Sequence, residues 1–290
     1  MKKRIDLSII IVNYNTVKLL GECLSSIYKS ITKSIVIEII LIDNNSTDSS
    51  VEYVQQNYPS VKIVVNNYNL GYSKANNKGI KISSGKYILL LNSDTEVRHN
   101  VLDELTIYMD AHPDVGAITC RVNLPDGKID AACHRGFPTP WASFSYFIGL
   151  EKLFPNSNIF GQYHLGSRNI NNPHEIDSPS GAFFLIRKAI IQNIGFLDEN
   201  FFMYGEDLDL AYRIKNAGWK IIYYPYVSIL HKKKQTGRVS ENKEFRKIIN
   251  YHFYRSMILF YQKHYQKKYG ILLSMLILML IKIKMRISAI

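Results

Sequence analysis

The first half of the chain alternates short apolar runs with amphipathic stretches. Five apolar runs, rich in Ile, Val and Leu, are predicted as strands buried on both faces of a sheet, at residues 7–12, 35–42, 61–65, 87–91 and 115–122. The stretches between them repeat apolar residues at helical spacing, which predicts helices at 17–29, 47–57, 73–83 and 101–112. Because strands and helices alternate, the pattern predicts an α/β fold with a mostly parallel sheet and right-handed crossovers.

The pattern changes in the second half. Residues 126–179 are rich in Pro, Gly, Asn and aromatic residues, and we expect loops and short elements that cover one edge of the sheet. Regular spacing returns with a strand at 182–186, helices near 187–194 and 207–216, and a strand at 221–224. In the first half, Ser46 is a predicted N-cap for the helix at 47–57, with Asp48 in its first turn.

The net charge of the chain, +12, is concentrated in one segment. Residues 231–290 contain 14 Lys and Arg and only two acidic residues, so this segment alone has a net charge of +12. Residues 1–230 therefore contain 22 basic and 22 acidic residues and are neutral. The three cysteines have no metal-site spacing and an odd count, which favours a reducing compartment. The apolar run at 7–12 is too short for the hydrophobic region of a signal peptide.

The basic tail also contains aromatic and apolar residues. Residues 241–270 are predicted as helical, and the 11 residues at 271–281 are apolar except for Ser274. A helix needs about 20 residues to span a bilayer. Two interpretations remain: the tail lies on an anionic membrane surface, aided by Lys282, Lys284 and Arg286, or it packs on the rest of the chain or in an oligomer. A nucleic-acid partner would also favour a basic, aromatic tail, but the apolar run argues against one.

Polar residues follow four of the predicted strands, at 13–15, 43–48, 66–67 and 92–94. Ligands of open α/β sheets bind beyond the carboxyl ends of the strands. Polar residues after a single strand are common, because Asn, Asp and Ser are frequent in turns. Four of them predict a row of Asn and Asp along one edge, which suits a nucleotide and a metal ion on its phosphates.

Five ordered motifs then indicate a family. They read IVNYN at 11–15, DNNSTD at 43–48, NLGYSKANNKG at 69–79, LLNSDT at 90–95 and FMYGEDLDL at 202–210. In this order and at these distances they resemble the inverting glycosyltransferases of family 2, which have the GT-A fold. The resemblance covers roughly residues 5–232. Within that family it points to rhamnosyltransferase-type enzymes of bacterial surface polysaccharide assembly.

The resemblance implies a nucleotide-binding set. Asp43 matches the family's aspartate that accepts a hydrogen bond from the pyrimidine N3–H, a role that suits an acceptor-only carboxylate. The alternative is that Asp43 is only a turn residue at the entry to a helix. The other implied nucleotide-binding residues are Val12, Asn13, Tyr14, Asn15, Asn69, Gly71, Lys74, Asn92, Ser93 and Asp94.

Asp94 also matches the second acid of the family's metal motif, and a divalent cofactor, Mg²⁺ or Mn²⁺, is expected. The first acid of that motif is replaced by Asn92, so a single carboxylate should bind metal weakly without the nucleotide. His231 matches a histidine that reaches the metal or the diphosphate in some relatives, and imidazole suits Mn²⁺ better than Mg²⁺. Alternatively, 92–94 is a plain turn and His231 lies at a solvated terminus.

Asp207 is the predicted catalytic base. Inversion requires a base on the face opposite the departing diphosphate, and Glu206-Asp207 matches the family's acidic pair at a helix start. A helix-start acid cluster without a catalytic role is the alternative. The predicted acceptor-side residues are Gly181, Glu206, Asp209 and Trp141, although a loop anchor is an alternative for Trp141.

The expected protein is an inverting transferase that moves one sugar from a dTDP- or UDP-sugar donor, with dTDP-rhamnose favoured, to a glycan or lipid-linked glycan. Its expected organisation is a GT-A domain at 1–232, with a nucleotide-sugar half at 1–125 and an acceptor half at 126–232, and a helical tail at 233–290. The expected location is the inner face of the bacterial cytoplasmic membrane.

Three other functions fit the sequence less well. A nucleotidyltransferase is disfavoured because residues 12–16 contain no glycine. An inactive scaffold is disfavoured because Asp43, Asp94 and Asp207 are all present. A processive synthase is disfavoured because neither a spanning helix nor a Gln-x-x-Arg-Trp motif is found.

Overall fold

Nine strands form one sheet within residues 4–30, 34–233 and 243–288, which are the residues that the computed structural model describes. The strands are β1 (Leu7–Asn13), β2 (Ile37–Asp43), β3 (Lys62–Val65), β4 (Tyr87–Asn92), β5 (Thr95–Val97), β6 (Val115–Asn123), β7 (His174–Glu175), β8 (Phe183–Arg187) and β9 (Lys220–His231). Their order across the sheet is β3-β2-β1-β4-β8-β6-β9-β5, and β7 pairs with β9.

The predicted α/β fold class is confirmed. Strands β1 to β4 are mutually parallel, and β6 is parallel to β9. Strand β8 lies between β4 and β6 and is antiparallel to both. A continuous apolar run specifies burial on both faces but contains no information about strand direction, so the sequence pattern did not predict this reversal.

Helices cover the sheet and extend beyond it. They are α1 (Val17–Ser30), α2 (Ser50–Asn57), α3 (Tyr72–Ile82), α4 (Val101–Ala111), α5 (Pro140–Phe147), α6 (Leu150–Leu153), α7 (Lys188–Ile194), α8 (Glu206–Asn216), α9 (Lys243–His264) and α10 (Ile271–Ile287).

The predicted N-cap at Ser46 is wrong, because α2 begins at Ser50, later than predicted. The Ser46 hydroxyl instead donates to Asp43 and accepts from the backbone N of Asn15. Asp48 lies before α2 and not in its first turn. Its Oδ2 accepts from the backbone N of Val17 at the start of α1 over 2.7 Å, and its Oδ1 accepts from the backbone N of Ser50 at the start of α2 over 3.3 Å. The hydrogen bonds of Ser46 and Asp48 join the loops that follow β1 and β2. Because the Ser46 hydroxyl makes these loop contacts, it does not cap a helix.

The described part of the tail packs on the main domain. Helices α9 and α10 form an antiparallel hairpin, in which the Tyr261 hydroxyl lies 3.0 Å from the Ser274 hydroxyl. Helix α9 contacts α8, where the Asp209 carboxylate lies 2.7 Å from both His264 and Lys263. The alternative of a tail packed on the rest of the chain therefore holds for α9.

Helix α10 has a different surface. Only Ser274 of this helix is buried, and most of its Leu, Ile and Met side chains are exposed. Among the residues that the structure describes, no helix is both long and apolar enough to cross a membrane.

Candidate active site

The loops at the carboxyl ends of β1 and β2 are joined by side-chain hydrogen bonds. Asn13 pairs with Asp43 in the parallel register, and its Nδ2 donates to Asp43 Oδ1 over 2.9 Å. Asp43 also accepts from the backbone N of Ser46 at 2.7 Å and from its hydroxyl at 2.6 Å. A carboxylate has about four acceptor positions. These three bonds therefore orient the fully buried Asp43 and leave it able to accept from one more donor.

The rest of the first motif lies around this pair. Val12 pairs with Asn92, so the ends of β1 and β4 also meet. Tyr14 is 45% exposed. Asn15 has a left-handed backbone with φ of 53°, and its Oδ1 accepts from the backbone N of Thr47 over 2.7 Å. The predicted nucleotide-binding residues that follow β1, β2 and β4 therefore share one edge of the sheet.

The start of α3 connects this edge to the second half of the chain. Asn69 Oδ1 accepts from the backbone N of Gly71, whose φ is 80°. A Cβ at Gly71 would lie 2.5 Å from the Phe202 carbonyl oxygen, so only glycine fits there. Tyr72 donates its backbone N–H to the same carbonyl at 2.7 Å and its hydroxyl to the Gly181 carbonyl at 2.9 Å.

Lys74 lies outside these contacts. It is on the exposed face of α3 and lines a cavity of about 360 Å³ together with Asn67, Tyr68 and Lys78. The structure thus places Lys74 at the wall of a hollow beside the Asn69 loop, which Lys81 and Glu199 also line.

His231 lies between two carboxylates. Pairing of β5 with β9 puts Thr95 opposite His231, so Asp94 lies beside the imidazole. The His231 Nε2 is 3.2 Å from Asp94 Oδ1, and its Nδ1 is 3.2 Å from Asp130 Oδ2. Lys233 Nζ donates to the other oxygen of Asp130 at 2.9 Å. All three members of the Asp94–His231–Asp130 row are buried.

The charged groups in this row stabilise each other's ionised forms. Burial alone would lower the pKa of His231, but the bonds to Asp130 and Asp94 outweigh it and raise that pKa to about 9. Burial alone would raise the pKa of Asp130, but His231 and Lys233 hold it well below its usual range.

The row partly fits a divalent cation. Within the described residues, no group of three or more His, Cys, Asp and Glu side chains has metal-binding geometry. Asp94 and His231 would supply two facing ligands once a cation displaces the proton on His231 Nε2, and His231 turns its other nitrogen to a carboxylate, as metal-bound histidines commonly do. The residues therefore suit a cation that takes its remaining ligands from a diphosphate.

Asp207 is held by a buried arginine. Arg135 Nη2 lies 2.6 Å from Asp207 Oδ2, and the two side chains are 11% and 12% exposed. Gly181 donates its backbone N–H to the same oxygen at 3.2 Å. The Leu208 backbone N donates to Asp207 Oδ1 at 2.8 Å. The carboxylate is therefore fixed in direction at the start of α8.

Glu206, the adjacent acid, has a different environment. It is 6% exposed, and its Oε2 is buried with no hydrogen-bond partner among the described residues. Burial, followed by the neighbouring charge of Asp207, raises the pKa of Glu206 to about 8. The Ser180 hydroxyl is likewise buried and unpartnered within the described chain. Buried polar atoms are nearly always hydrogen-bonded, so both atoms lack a partner of the kind that such atoms normally have.

One turn connects the acidic pair to the strand end that precedes Asp94. Gly181 bonds to Asp207, and the next residue, Ala182, accepts from the backbone N of Asn92 over 3.3 Å. Asn92 lies two residues before Asp94. The predicted base, the predicted metal ligand and Gly181 are therefore brought together by residues that are far apart in sequence.

Two predicted acceptor-side residues have other contacts. Asp209 is fully buried, and Arg213, Lys263 and His264 bind its carboxylate, so it joins α8 to α9. The Trp141 indole N–H donates to the Ile159 carbonyl at 2.8 Å, as expected of a loop anchor.

Sequence reasoning did not find Arg135 and Asp130. Both lie in the irregular segment at 126–179, where no motif or periodicity distinguishes them from other loop residues. A buried carboxylate needs a cationic partner, but Arg135 lies 72 positions from Asp207 in the chain, so the sequence did not show which basic residue that partner is.

A family model described as "Glycosyl transferase family 2" matches residues 8–195. The chain is 28% identical over 244 residues to an N-acetylglucosaminyl-diphospho-decaprenol L-rhamnosyltransferase of Mycobacterium tuberculosis, covering 80% of this chain and 78% of the relative. It is 23% identical over 217 residues to rhamnosyltransferase WbbL of Escherichia coli, covering 71% of this chain and 77% of the relative.

The fold resembles that of solved GT-A glycosyltransferases. A mannosyltransferase from Pyrobaculum calidifontis, in complex with GDP-Man and Mn²⁺, superposes with a TM-score of 0.61 at 15% identity. The superposition covers 93% of this chain and 66% of that one. At this identity the likeness shows the fold alone.

Proposed function

Because the chain belongs to glycosyl transferase family 2 and is a glycosyltransferase of the GT-A fold, we propose that it transfers rhamnose from dTDP-rhamnose, with inversion, to a lipid-linked glycan. The observation that supports this proposal best is the turn at Gly181 and Ala182, which contacts both Asp207 and the strand end that leads to Asp94. The rhamnosyltransferase relatives support the sugar, and the diphospho-decaprenol in one relative's name supports the acceptor.

In this proposal Asp207 is the general base. An acceptor hydroxyl attacks the anomeric carbon, the bond to the nucleoside diphosphate breaks, and the hydroxyl proton passes to the Asp207 carboxylate. Arg135 and Gly181 hold that carboxylate in one direction. Neutral Glu206 and the Ser180 hydroxyl hydrogen-bond to sugar hydroxyls, which would give both buried atoms partners.

Asp94 and His231 are the residues that would hold a divalent cation, with Mn²⁺ favoured over Mg²⁺ by the imidazole. When bound, such a cation neutralises charge on the departing diphosphate. Asp130 keeps His231 Nε2 facing Asp94.

A donor panel tests the proposal. Acceptor-dependent release of nucleoside diphosphate is measured with dTDP-rhamnose, UDP-glucose and UDP-N-acetylglucosamine, using an N-acetylglucosaminyl-diphospho-lipid as acceptor. We expect dTDP-rhamnose to be the best donor and the product to have the inverted anomeric configuration by NMR. A faster reaction with a UDP-sugar would change the donor assignment, and no release with any donor would favour the inactive scaffold.

We expect Asp130→Ala to weaken Mn²⁺ binding by about ten- to a hundredfold, because partners that orient a metal-bound histidine typically have effects of this size. Mn²⁺ is titrated by EPR in the presence of dTDP, which gives an affinity independent of turnover. Asp130→Asn keeps an acceptor for His231 Nδ1 and should recover most of the affinity. An unchanged affinity in Asp130→Ala, with an unchanged melting temperature, would exclude the orienting role.

The tail supplies the proposed attachment to the inner membrane face. Exposed apolar side chains of α10 lie next to Lys282, Lys284 and Arg286, and this helix contains no acidic residue. Deleting the tail is a poor test, because α9 provides the charge partners of buried Asp209 and covers Tyr212. Point substitutions on α10 avoid that problem.

Substitution of Lys282, Lys284 and Arg286 by Gln should reduce binding to phosphatidylglycerol-containing vesicles by roughly a hundredfold at low salt, since each cation near anionic lipid contributes about a factor of five. A matched variant that replaces Lys18, Lys29 and Lys81 by Gln removes the same charge from α1 and α3. Sedimentation with vesicles should separate the two variants, and raised salt should reduce the difference. Equal binding of both variants would show that α10 does not contact the membrane.

A further inference from the structure

A second apolar surface lies on the acceptor half, far from α10 in sequence. Within residues 141–159, eight large apolar side chains are 42–71% exposed. We call them the aromatic surface, and they are Trp141, Phe144, Tyr146, Phe147, Ile148, Leu153, Phe154 and Ile159. A patch of this kind on a soluble domain normally marks a contact with a protein or a membrane.

Helix α5 has the reverse of the usual helical arrangement. Its buried residues are the small Ala142 and Ser145, whereas Phe144 and Phe147 face outward. Ser145 is held by a hydrogen bond from its hydroxyl to the Phe160 carbonyl at 2.8 Å. A helix on the surface of a soluble protein buries its large apolar residues instead. The orientation is fixed by Ser145 and by the Trp141 anchor, so the exposed rings do not result from a loosely placed helix.

The charge around this surface suits an anionic bilayer. Between Asp130 and Glu175 the only acidic residue is Glu151, which is 8% exposed and accepts a hydrogen bond from His164. Lys152 and Arg168 are exposed in the same segment. Exposed aromatic and aliphatic side chains with cations, and without exposed carboxylates, have the composition of interfacial membrane-binding elements.

The segment just before the aromatic surface contacts both the tail cluster and the predicted base. Phe137, shortly before α5, packs against Tyr212 with ring centroids 4.9 Å apart. Tyr212 packs against Phe260 of α9, in a cluster that includes Leu278 of α10. Two residues before Phe137, Arg135 binds the predicted base. One small core thus contacts α9, α10 and Phe137, and Phe137 lies in the chain between Arg135 and the first residue of the aromatic surface.

We propose that the aromatic surface is a second membrane contact, which inserts into the headgroup region of an anionic bilayer and holds the acceptor side of the site where a lipid-linked glycan is presented. The proposal rests on the proposed lipid-linked acceptor. It adds a bilayer contact on the catalytic domain that is separate from α10. A surface of this kind orients the domain, whereas the basic tail alone only concentrates it at the membrane.

Trp141 provides a direct probe of insertion in the full-length chain. The chain has two tryptophans, and Trp219→Phe leaves Trp141 as the only one. With vesicles of phosphatidylglycerol and phosphatidylethanolamine, we expect the fluorescence of Trp141 to be quenched by brominated acyl chains. Absence of quenching, while the protein sediments with the same vesicles, would overturn the proposal.

A substitution series adds an affinity measurement. Phe144, Phe147 and Leu153 are replaced by Ser, and the matched control replaces Ile82, Ile107 and Tyr226, which are similarly exposed on α3, α4 and β9. We expect vesicle binding to fall by about tenfold or more in the first variant only, because each side chain loses buried apolar area. Turnover of lipid-linked acceptor in vesicles should fall in parallel, while turnover of a detergent-dispersed or water-soluble acceptor analogue stays unchanged.

Other outcomes have distinct meanings. If the first variant converts a dimer to a monomer by light scattering and binds vesicles normally, the surface contacts a second copy of the chain and the proposal is wrong. Because quenching and sedimentation need no donor, they remain informative if the donor panel gives no transfer. In that case the proposed function fails while the membrane contact is still judged on its own result.

Discussion

Asp207→Asn should lose transfer activity by about a hundred- to ten-thousand-fold, the usual contribution of a general base, with little change in nucleotide affinity. Asparagine retains the size of the side chain and an acceptor for Arg135, but it cannot take a proton from an attacking hydroxyl. The measurement is turnover with donor and acceptor, together with a titration of dTDP on the same preparation. Since Arg135 is buried and loses its charged partner, the melting temperature of the variant is recorded and assays are run well below it.

Glu206→Gln is the matched control for this substitution. The pKa of Glu206 is raised to about 8, so near pH 7 its carboxyl is mostly neutral and glutamine mimics it. We expect turnover within about tenfold of wild type there. The opposite result, a severe loss in Glu206→Gln and a mild one in Asp207→Asn, would assign the base to Glu206.

Glu206→Gln should also change how the melting temperature depends on pH. A carboxyl whose pKa is higher in the folded state than in the unfolded state binds its proton more tightly when the protein is folded. Its contribution to the free energy of unfolding is therefore complete below the unfolded-state pKa of 4.5 and is lost as pH rises toward the folded-state pKa of about 8. Glutamine does not ionise. The melting temperature of Glu206→Gln should therefore increase relative to wild type as pH rises through that window.

The sequence was most informative where chemistry follows a regular element. Asn13, Asp43 and Asn92 come directly after apolar runs, and the rule that carboxyl ends of parallel strands meet at one edge was enough to bring them together. Gly71 was predicted only as a nucleotide-binding residue, and its close approach to the Phe202 carbonyl, which a Cβ would meet at 2.5 Å, became visible only in the structure.

The residues that sequence reasoning missed are those placed by tertiary contacts alone. Arg135 reaches Asp207 across 72 positions, and Asp130 reaches His231 across 101. Neither lies on an element with a period, so no local rule fixes the direction of its side chain. The organisation of the tail was also predicted only in part. Its net charge does not distinguish α9, which makes a buried contact to Asp209, from α10, which has an exposed apolar face.

Asp94→Ala should remove metal-dependent transfer and lower turnover by about a hundred- to a thousandfold, the effect expected when one preorganised group that stabilises developing charge is lost. Asp94 is 4% exposed at the sheet edge and faces His231 Nε2. The substitution removes one of the two proposed protein ligands and leaves His231 its bond to Asp130. The fold should persist, because Asp94 lies at a strand end and lines no apolar core.

The test of Asp94 combines metal removal with substitution. Wild-type protein is treated with EDTA and activity is restored with MnCl₂, while Mn²⁺ binding in the presence of dTDP is followed by EPR. Asp126→Ala is the control, since Asp126 is an exposed acid in a turn, paired only with exposed Lys128 in the described structure. We expect the control to match wild type, and Asp94→Ala to bind Mn²⁺ poorly and to gain little from saturating metal. Two results would contradict the assignment: full activity of the EDTA-treated wild type, or wild-type turnover of Asp94→Ala in excess MnCl₂. The first result would mean that protein groups alone stabilise the leaving diphosphate, and the second would mean that Asp94 is not a required metal ligand.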